Sequence, residues 1–348
     1  MGKPGTQARK SRWWVRLLKR LMVGLVAFLV LAVLVGAGFE YAVRRNAEVT
    51  YPPPGEMVDI GGRRMHLDCR GNGSPTVLLE SGLDTNGSLS WDKVHDALAA
   101  VTRTCAYDRA GVMWSEPKEG PQDAEGVTAD LHATLAAAGE SGPLVMVGHS
   151  LGGPYIMNYT KQYGDDVKGL VFVDCSHPDQ MERLPPAIVR QVEVATLYKV
   201  IDALSWTGVL QLLPDAPLPG MPERIKLIGK AHVGTSFGAS MKEMMSVPVI
   251  LKQGGELRDL GDRPLVVLVA MQPIPEDQLT AMGLTRQDGE AMQAVWRELT
   301  ADEATWSTRS RLQLVPDSLH YIQFQRPDLV IEAVTEVVNT VRAESAGR

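Results

Sequence analysis

The residues best suited to chemistry in this sequence are a serine and its neighbours. An apolar stretch, 143–147, leads into a Gly-x-Ser-x-Gly run centred on Ser150, and a helix-like segment follows it. Strand, tight turn and helix in this order are typical of a nucleophile elbow, in which the serine stands exposed on a strained turn. Gly148 and Gly152 lack a Cβ, so the strand and the helix can close together. The pattern predicts a catalytic nucleophile at Ser150.

A serine hydroxyl is a weak nucleophile near neutral pH and needs a neighbouring base. His320 is the best candidate, because it lies in a loop between the last predicted strand and the last predicted helix. A carboxylate must then hold the other imidazole nitrogen. Asp174 ends the strand that follows the elbow, whereas Asp277 lies several residues beyond the strand 264–271. Both remain candidates, and we favour Asp174.

Charge is distributed unevenly along the 348 residues, whose formal net charge is −6. Residues 1–39 carry seven Lys or Arg and no acidic residue, so the remainder carries 28 basic and 41 acidic residues. An acidic folded portion argues against nucleic acid as a partner.

Residues 21–39 form an uncharged, strongly apolar run directly after the basic cluster. As a helix this run would reach about 28 Å, close to the thickness of the hydrocarbon core. The positive-inside rule then predicts a single-pass protein of the cell membrane, with a cytoplasmic N-terminus and the remaining domain outside. A cleaved signal peptide is the alternative, but its apolar region is usually shorter.

Strands alternate with helices along the rest of the chain, except over one Pro-interrupted helical stretch. This order predicts an α/β fold, with a mostly parallel sheet, helices on both faces and a helical cap inserted over the carboxyl edge. Apolar cap residues are candidates for an acyl pocket, or for ordinary packing of the cap: Leu204, Trp206, Leu210, Leu212, Leu213, Phe237, Met241, Met244 and Met245. The expected segments are a cytoplasmic segment (1–20), a transmembrane helix (21–39), a linker (40–55), the first core part (56–180), the cap (181–262) and the second core part (263–345).

Three motifs together resemble the α/β-hydrolase superfamily: the serine elbow, the Tyr107–Gly111 run Tyr-Asp-Arg-Ala-Gly, and the Ser-Leu-His run ending at His320. The resemblance implies an α/β-hydrolase fold over nearly all of residues 56–345. It implies an oxyanion hole made of the backbone N–H groups of Leu83 and Leu151. Some capped relatives are similar in placing the acid where Asp174 stands. The histidine that relatives often carry before the Leu83 position is absent here.

The resemblance also bears on the three cysteines, none of which has metal-ligand spacing. In the sheet order that it implies, the strands of Cys69 and Cys105 are neighbours, so a disulfide can join them in an oxidising compartment and leave Cys175 as a free thiol at the rim of the site. Three reduced cysteines are the alternative.

The function that these features predict is a serine hydrolase of the carboxylesterase or lipase type, acting on a small-molecule or lipid-like acyl substrate without a cofactor or metal. Aspartate replaces the serine in relatives that hydrolyse epoxides or remove halogen, which argues against those reactions. An acyltransferase with the same triad, and a catalytically silent binding protein on the same fold, are the alternatives.

Overall fold

A single long helix, α1 (Ser11–Thr50), begins the computed structural model, which describes residues 11–186, 200–213 and 218–347. The α1 helix has a mean hydropathy of 2.7 in its most apolar window, and none of that window is buried in the protein. By length and composition, α1 is therefore a candidate membrane span.

The predicted linker at 40–55 is wrong in its first part, because α1 continues through it to Thr50. Glu40 and Arg44 form an ion pair one helical turn apart, and Glu40 and Ala47 are buried. No Gly or Pro occurs between Phe39 and Thr50, so nothing in the sequence ends the helix there. Helical structure stops only before the three prolines at 52–54.

The core is a sheet of eight strands: β1 (Glu56–Asp59), β2 (Arg64–Arg70), β3 (Thr76–Glu80), β4 (Thr104–Tyr107), β5 (Leu144–His149), β6 (Val167–Val173), β7 (Leu265–Ala270) and β8 (Ser310–Val315). They lie in the order β1-β2-β4-β3-β5-β6-β7-β8. The pairs β1–β2 and β2–β4 are antiparallel, and every other pair is parallel. The parallel strands β3, β5 and β6 are almost wholly buried, as expected for strands covered by helices on both faces.

Two hydrophobic clusters cover the two faces of the sheet. The helices after α1 are α2 (Asp92–Ala99), α3 (Ala124–Ala138), α4 (Gly152–Tyr163), α5 (Gln180–Arg183), α6 (Glu223–Gly254), α7 (Glu276–Ala281), α8 (Arg286–Glu303), α9 (Ile322–Gln325) and α10 (Pro327–Ala346). One cluster includes residues of α3 and α4, and the other includes residues of α2 and α10. The α/β-hydrolase architecture with helices on both faces is thereby confirmed.

In the described part of the insertion between β6 and β7, every regular element is a helix or a helical turn. It contains α5, two short 3₁₀ turns (Ser205–Thr207 and Val209–Leu212) and the 32-residue helix α6. Residues 187–199 and 214–217 of the predicted cap lie outside the described residues.

A disulfide joins Cys69 of β2 to Cys105 of β4, with the sulfur atoms 2.00 Å apart. The two residues are directly opposite each other in the antiparallel β2–β4 pair. The predicted bridge is confirmed. It links β2, which runs antiparallel to its neighbours, covalently to β4, the first strand of the parallel part of the sheet.

Candidate active site

Ser150 occupies the turn between β5 and α4 with a φ of 52°. This value lies in the left-handed region, which residues other than glycine rarely adopt. The turn is as tight as the two glycines predict. A Cβ on Gly148 would lie 2.8 Å from the carbonyl carbon of Gly152, and a Cβ on Gly152 would lie 2.5 Å from the carbonyl oxygen of Glu80. Any larger residue at either position would force the strand and the helix apart.

Asp174 follows β6 and binds the imidazole of His320. Its Oδ2 accepts a hydrogen bond from Nδ1 of His320 at 2.6 Å, although the two residues are 146 positions apart. Its Oδ1 accepts from the backbone N–H of Ala270 at 3.0 Å and from Nε1 of Trp296 at 2.9 Å. Asp174 is buried and itself has a positive φ of 48°. Each carboxylate oxygen is thus occupied and the side chain is fixed in direction.

The other candidate acid, Asp277, lies in the first turn of α7 and is exposed to solvent. Pro275 caps this short helix, which the sequence did not predict, and the carboxylate bound to Nδ1 of His320 is that of Asp174. The geometry therefore favours Asp174, and Trp296, which sequence reasoning missed, is the neighbour that orients it.

His149 ties the loop of His320 to the elbow. Its Nε2 lies 3.0 Å from the backbone carbonyl oxygen of His320, and the two rings are 4.6 Å apart between centroids. Burial, followed by the neighbouring His320, lowers the pKa of His149 well below its usual value. The neutral ring donates its Nε2–H to that carbonyl, and because His149 directly precedes Ser150, the bond ties the loop of His320 to the elbow.

The loop that carries Leu83 packs against the serine. A Cβ on Gly82 would lie 2.9 Å from Cβ of Ser150, so only glycine permits this approach. In the described part of the chain, the backbone N–H groups of Leu83 and Leu151 donate to no protein acceptor. Two unused donors beside a serine are what an oxyanion hole requires.

Arg109 holds this loop from behind, a contact that sequence reasoning missed. Its guanidinium donates to the carbonyl oxygens of Ser81 at 2.8 Å and of Gly82 at 2.6 Å. In a trans peptide the carbonyl and the following N–H point in opposite directions. By binding the Gly82 carbonyl, Arg109 therefore turns the N–H of Leu83 to the opposite side.

Two buried glutamates flank Arg109. Glu243 of α6 binds it through both carboxylate oxygens at 2.8 Å, and Glu80 of β3 binds it at 2.6 Å. Burial raises the pKa of Glu80 to about 7, against the lowering effect of Arg109. Tyr107 also donates its hydroxyl to Glu80. Because Glu243 belongs to the cap, this cluster joins the cap to the loop of residues 81–83, which is named the oxyanion loop after its proposed role. Arg109 and Glu243 are 134 positions apart, so no local sequence pattern indicates that they form an ion pair.

A cavity of about 410 Å³ lies between the oxyanion loop and the cap. Its wall includes Leu83 and also Tyr321, the residue after His320. Of the cap residues that the sequence offered as candidates for an acyl pocket, five line this cavity: Leu210, Leu213, Phe237, Met241 and Met244. The others, Leu204, Trp206, Leu212 and Met245, are exposed instead.

Cys175 is not at the rim of the site as predicted, but buried beneath the elbow. Its Sγ lies 3.1 Å from the carbonyl oxygen of Gly148, and burial raises the pKa of its thiol well above the usual value. Among the described residues, one group of possible metal ligands lies close together: Cys69, Cys105 and Glu140. The two sulfurs there are bonded to each other, so they offer no thiolate to a metal.

Residues 66–333 match the family model of the Alpha/beta hydrolase family. Together with the eight-stranded sheet and the serine elbow, this match defines the class of protein. The chain belongs to the α/β-hydrolase family.

Individual relatives are distant. A protein of Hormonema carpetanum, whose name describes a transporter, is 25% identical over 317 residues, which cover 83% of this chain and 43% of that protein. YbdG of Bacillus subtilis is 25% identical over 173 residues, covering 49% of this chain and 52% of that protein. The chain thus spans about half or less of the length of these curated relatives.

A solved structure of an enol-lactonase from Burkholderia xenovorans superposes with a TM-score of 0.59 at 16% identity, covering 82% of this chain and 100% of that one. A thermophilic esterase from Thermogutta terrifontis gives a TM-score of 0.53 at 20% identity, covering 82% of this chain and 97% of that one. At these identities the likeness shows the fold.

Proposed function

We propose that this protein is a serine hydrolase that cleaves a carboxylic ester or a related acyl bond through an acyl-enzyme on Ser150. The observation that carries the proposal is the hydrogen bond between Asp174 and His320, on a loop that His149 holds beside Ser150. An esterase and a lactonase are among the solved structures that share this fold, so the fold is compatible with acyl chemistry.

In the proposed reaction, Oγ of Ser150 attacks the substrate carbonyl carbon while Nε2 of His320 takes the hydroxyl proton. Asp174 binds Nδ1–H, keeps the proton on that nitrogen and stabilises the imidazolium that forms. The N–H groups of Leu83 and Leu151 donate to the oxyanion. His320 then gives its proton to the leaving alcohol.

Deacylation repeats these steps with water. His320 accepts a proton from the water as it attacks the acyl carbon, and returns that proton to Ser150 as the ester bond to the enzyme breaks. The products are the free acid and the regenerated serine. The same acyl-enzyme would serve an acyltransferase, with an alcohol in place of the water.

The test is labelling by a fluorophosphonate probe and turnover of a short-chain ester, with wild type beside Ser150→Ala. We expect the substitution to abolish labelling and to lower kcat by at least about a thousandfold, because no other group replaces the nucleophile. Ser176→Ala is the matched control, a neighbouring serine outside the proposed triad.

Equal turnover by wild type and Ser150→Ala would refute the mechanism. Absence of both labelling and turnover in folded wild type would support the silent binding protein instead. Addition of an alcohol separates hydrolysis from acyl transfer, because only a transferase would yield mainly the new ester.

A further inference from the structure

An exposed apolar strip lies on the cap at residues 200–213. Trp206 is 52% exposed and Leu212 is 81% exposed, and Val200 and Leu204 beside them are also open to solvent. Large apolar side chains clustered on a surface mark a binding site for a protein or a membrane. The position of this strip relative to α1 decides between the two.

The strip packs against the end of the apolar run of α1. Thr207 lies so close to Gly36 that a Cβ on Gly36 would overlap the Thr207 carbonyl oxygen. A Cβ on Gly208 would lie 3.5 Å from the ring of Phe39. Glu40, the first charged residue after Arg20, follows directly. Gly36 and Phe39 are three residues apart and a helix rises 1.5 Å per residue. Measured along the axis of α1, Thr207 therefore lies about 5 Å from Phe39, where the uncharged run ends.

Polar contacts fix this arrangement. Arg44 donates to Glu40 at 2.7 Å and to the carbonyl oxygen of Gly234 on α6 at 2.8 Å. Gln211, which belongs to the strip, donates to the second oxygen of Glu40 at 3.4 Å. The cap is therefore held at a defined height on α1. If α1 spans a bilayer, the strip lies at the boundary between hydrocarbon and headgroups, where tryptophan is enriched.

The same segment forms part of the cavity wall. Leu210 and Leu213 line the cavity, while Leu212 between them points into the surroundings. The cavity of about 410 Å³ is within the usual size range for small-molecule sites, about 300 to 1,000 Å³. Its wall runs from this segment to Leu83 at the oxyanion loop.

We infer that the strip of residues 200–213 inserts into the membrane interface, and that the cavity receives its substrate there, as an acyl ester resident in the bilayer. The substrate class rests on the proposed function, whereas the insertion does not. An acyl chain would pass from the lipid along Leu213 and Leu210 toward Leu83, without crossing water.

Insertion is measured on the full chain in phosphatidylcholine vesicles. Trp206→Cys and Leu212→Cys are labelled separately with an environment-sensitive fluorophore, and Leu312→Cys, an exposed position on the edge strand β8, is the control. We expect blue-shifted emission and quenching by doxyl-labelled phosphatidylcholine at 206 and 212, and neither at 312. Emission unshifted at 206 and 212, or shifted without quenching by lipid, as a second copy covering the strip would give, would overturn the inference.

The substrate class is tested with two esters of one leaving group, 4-methylumbelliferyl oleate carried in vesicles and 4-methylumbelliferyl acetate in solution. In the double variant Trp206→Ser, Leu212→Ser we expect turnover of the oleate to fall about tenfold, the effect of losing apolar burial worth roughly 1.4 kcal/mol. Acetate turnover is expected to stay unchanged, as is turnover of both esters in the control Leu312→Ser, Leu314→Ser.

Equal turnover of oleate by the double variant and wild type, or an equal loss on both esters, would refute delivery from the bilayer. These results are distinguishable from failure of the proposed function, in which Ser150→Ala would hydrolyse the acetate as fast as wild type does.

Discussion

Asp174 is held by three donors, and all three come from outside the loop that carries it. Ala270 belongs to β7 and Trp296 to α8, so the carboxylate depends on two neighbouring elements for its direction. The sequence left Asp174 and Asp277 open, because both follow apolar strands and the pattern does not show which strand end faces His320. The hydrogen bonds of Asp174 to His320 and to Trp296 favour Asp174, and neither contact has a local signature in the sequence.

Asp174→Asn is expected to lower kcat on a soluble ester by about 10³- to 10⁴-fold, because an amide favours the wrong histidine tautomer. Asp277→Asn, at an exposed position on α7, is expected to leave kcat unchanged. Steady-state kinetics of both variants measure this. The reverse order of effects would place the acid after β7.

Glu80 gives the fold a pH dependence. Burial raises its pKa from 4.5 to about 7, so between these values the native state binds more protons than the unfolded state. The stabilisation that comes from protonating Glu80 in the native state is fully present below pH 4.5 and is lost as the pH rises through about 7. Between these pH values the free energy of unfolding falls by on the order of 1 kcal/mol per pH unit.

Thermal unfolding in detergent between pH 5 and pH 8 measures this effect. Wild type is expected to lose more stability across the range than Glu80→Gln, whose amide does not titrate. Glu290→Gln, at an exposed position on α8, is the control and should follow wild type. Parallel curves for Glu80→Gln and wild type would contradict the raised pKa.

At the scale of elements, the prediction from sequence succeeded where a strand is buried on both faces. The mostly apolar runs of β5, β6 and β7 can be recognised in the sequence, because strands covered by helices on both sides need apolar residues on both faces. It failed over residues 40–50, where the polar composition indicated a spacer. Those residues are helical and packed, with Arg44 bound to Gly234, a partner 190 positions away that no local pattern shows.

The disulfide between β2 and β4 is expected to contribute to stability by limiting the unfolded chain. It closes a loop with a sequence separation of 36, for which the chain-entropy model gives roughly 3.5 to 4 kcal/mol. Cys69→Ser, Cys105→Ser should therefore unfold at a lower denaturant concentration than wild type, while Cys175→Ala keeps the bridge. Non-reducing peptide mapping of protein from intact membranes provides the direct check, and free thiols at both positions would refute the bridge.

The molecule as a whole consists of an apolar helix and a hydrolase domain that share an interface. Basic residues precede the apolar run, and the first charge after it is Glu40. On this basis we expect Glu290→Cys to react with a membrane-impermeant maleimide in intact cells, and Lys19→Cys to react only after the membrane is opened. Both positions are exposed on the protein surface, so access across the membrane is the difference measured. Labelling of Lys19→Cys alone in intact cells would reverse the orientation.

The position of Asp174 at the end of β6 has a consequence for how this protein can diverge. Residues 271–285, which follow β7, supply no member of the proposed triad. The exposed part of this segment can therefore change in sequence and in length without loss of activity. The condition is that β7 and α8 keep their positions beside Asp174. Among orthologues we therefore expect length variation to concentrate there, while the Trp296 position changes only together with Asp174.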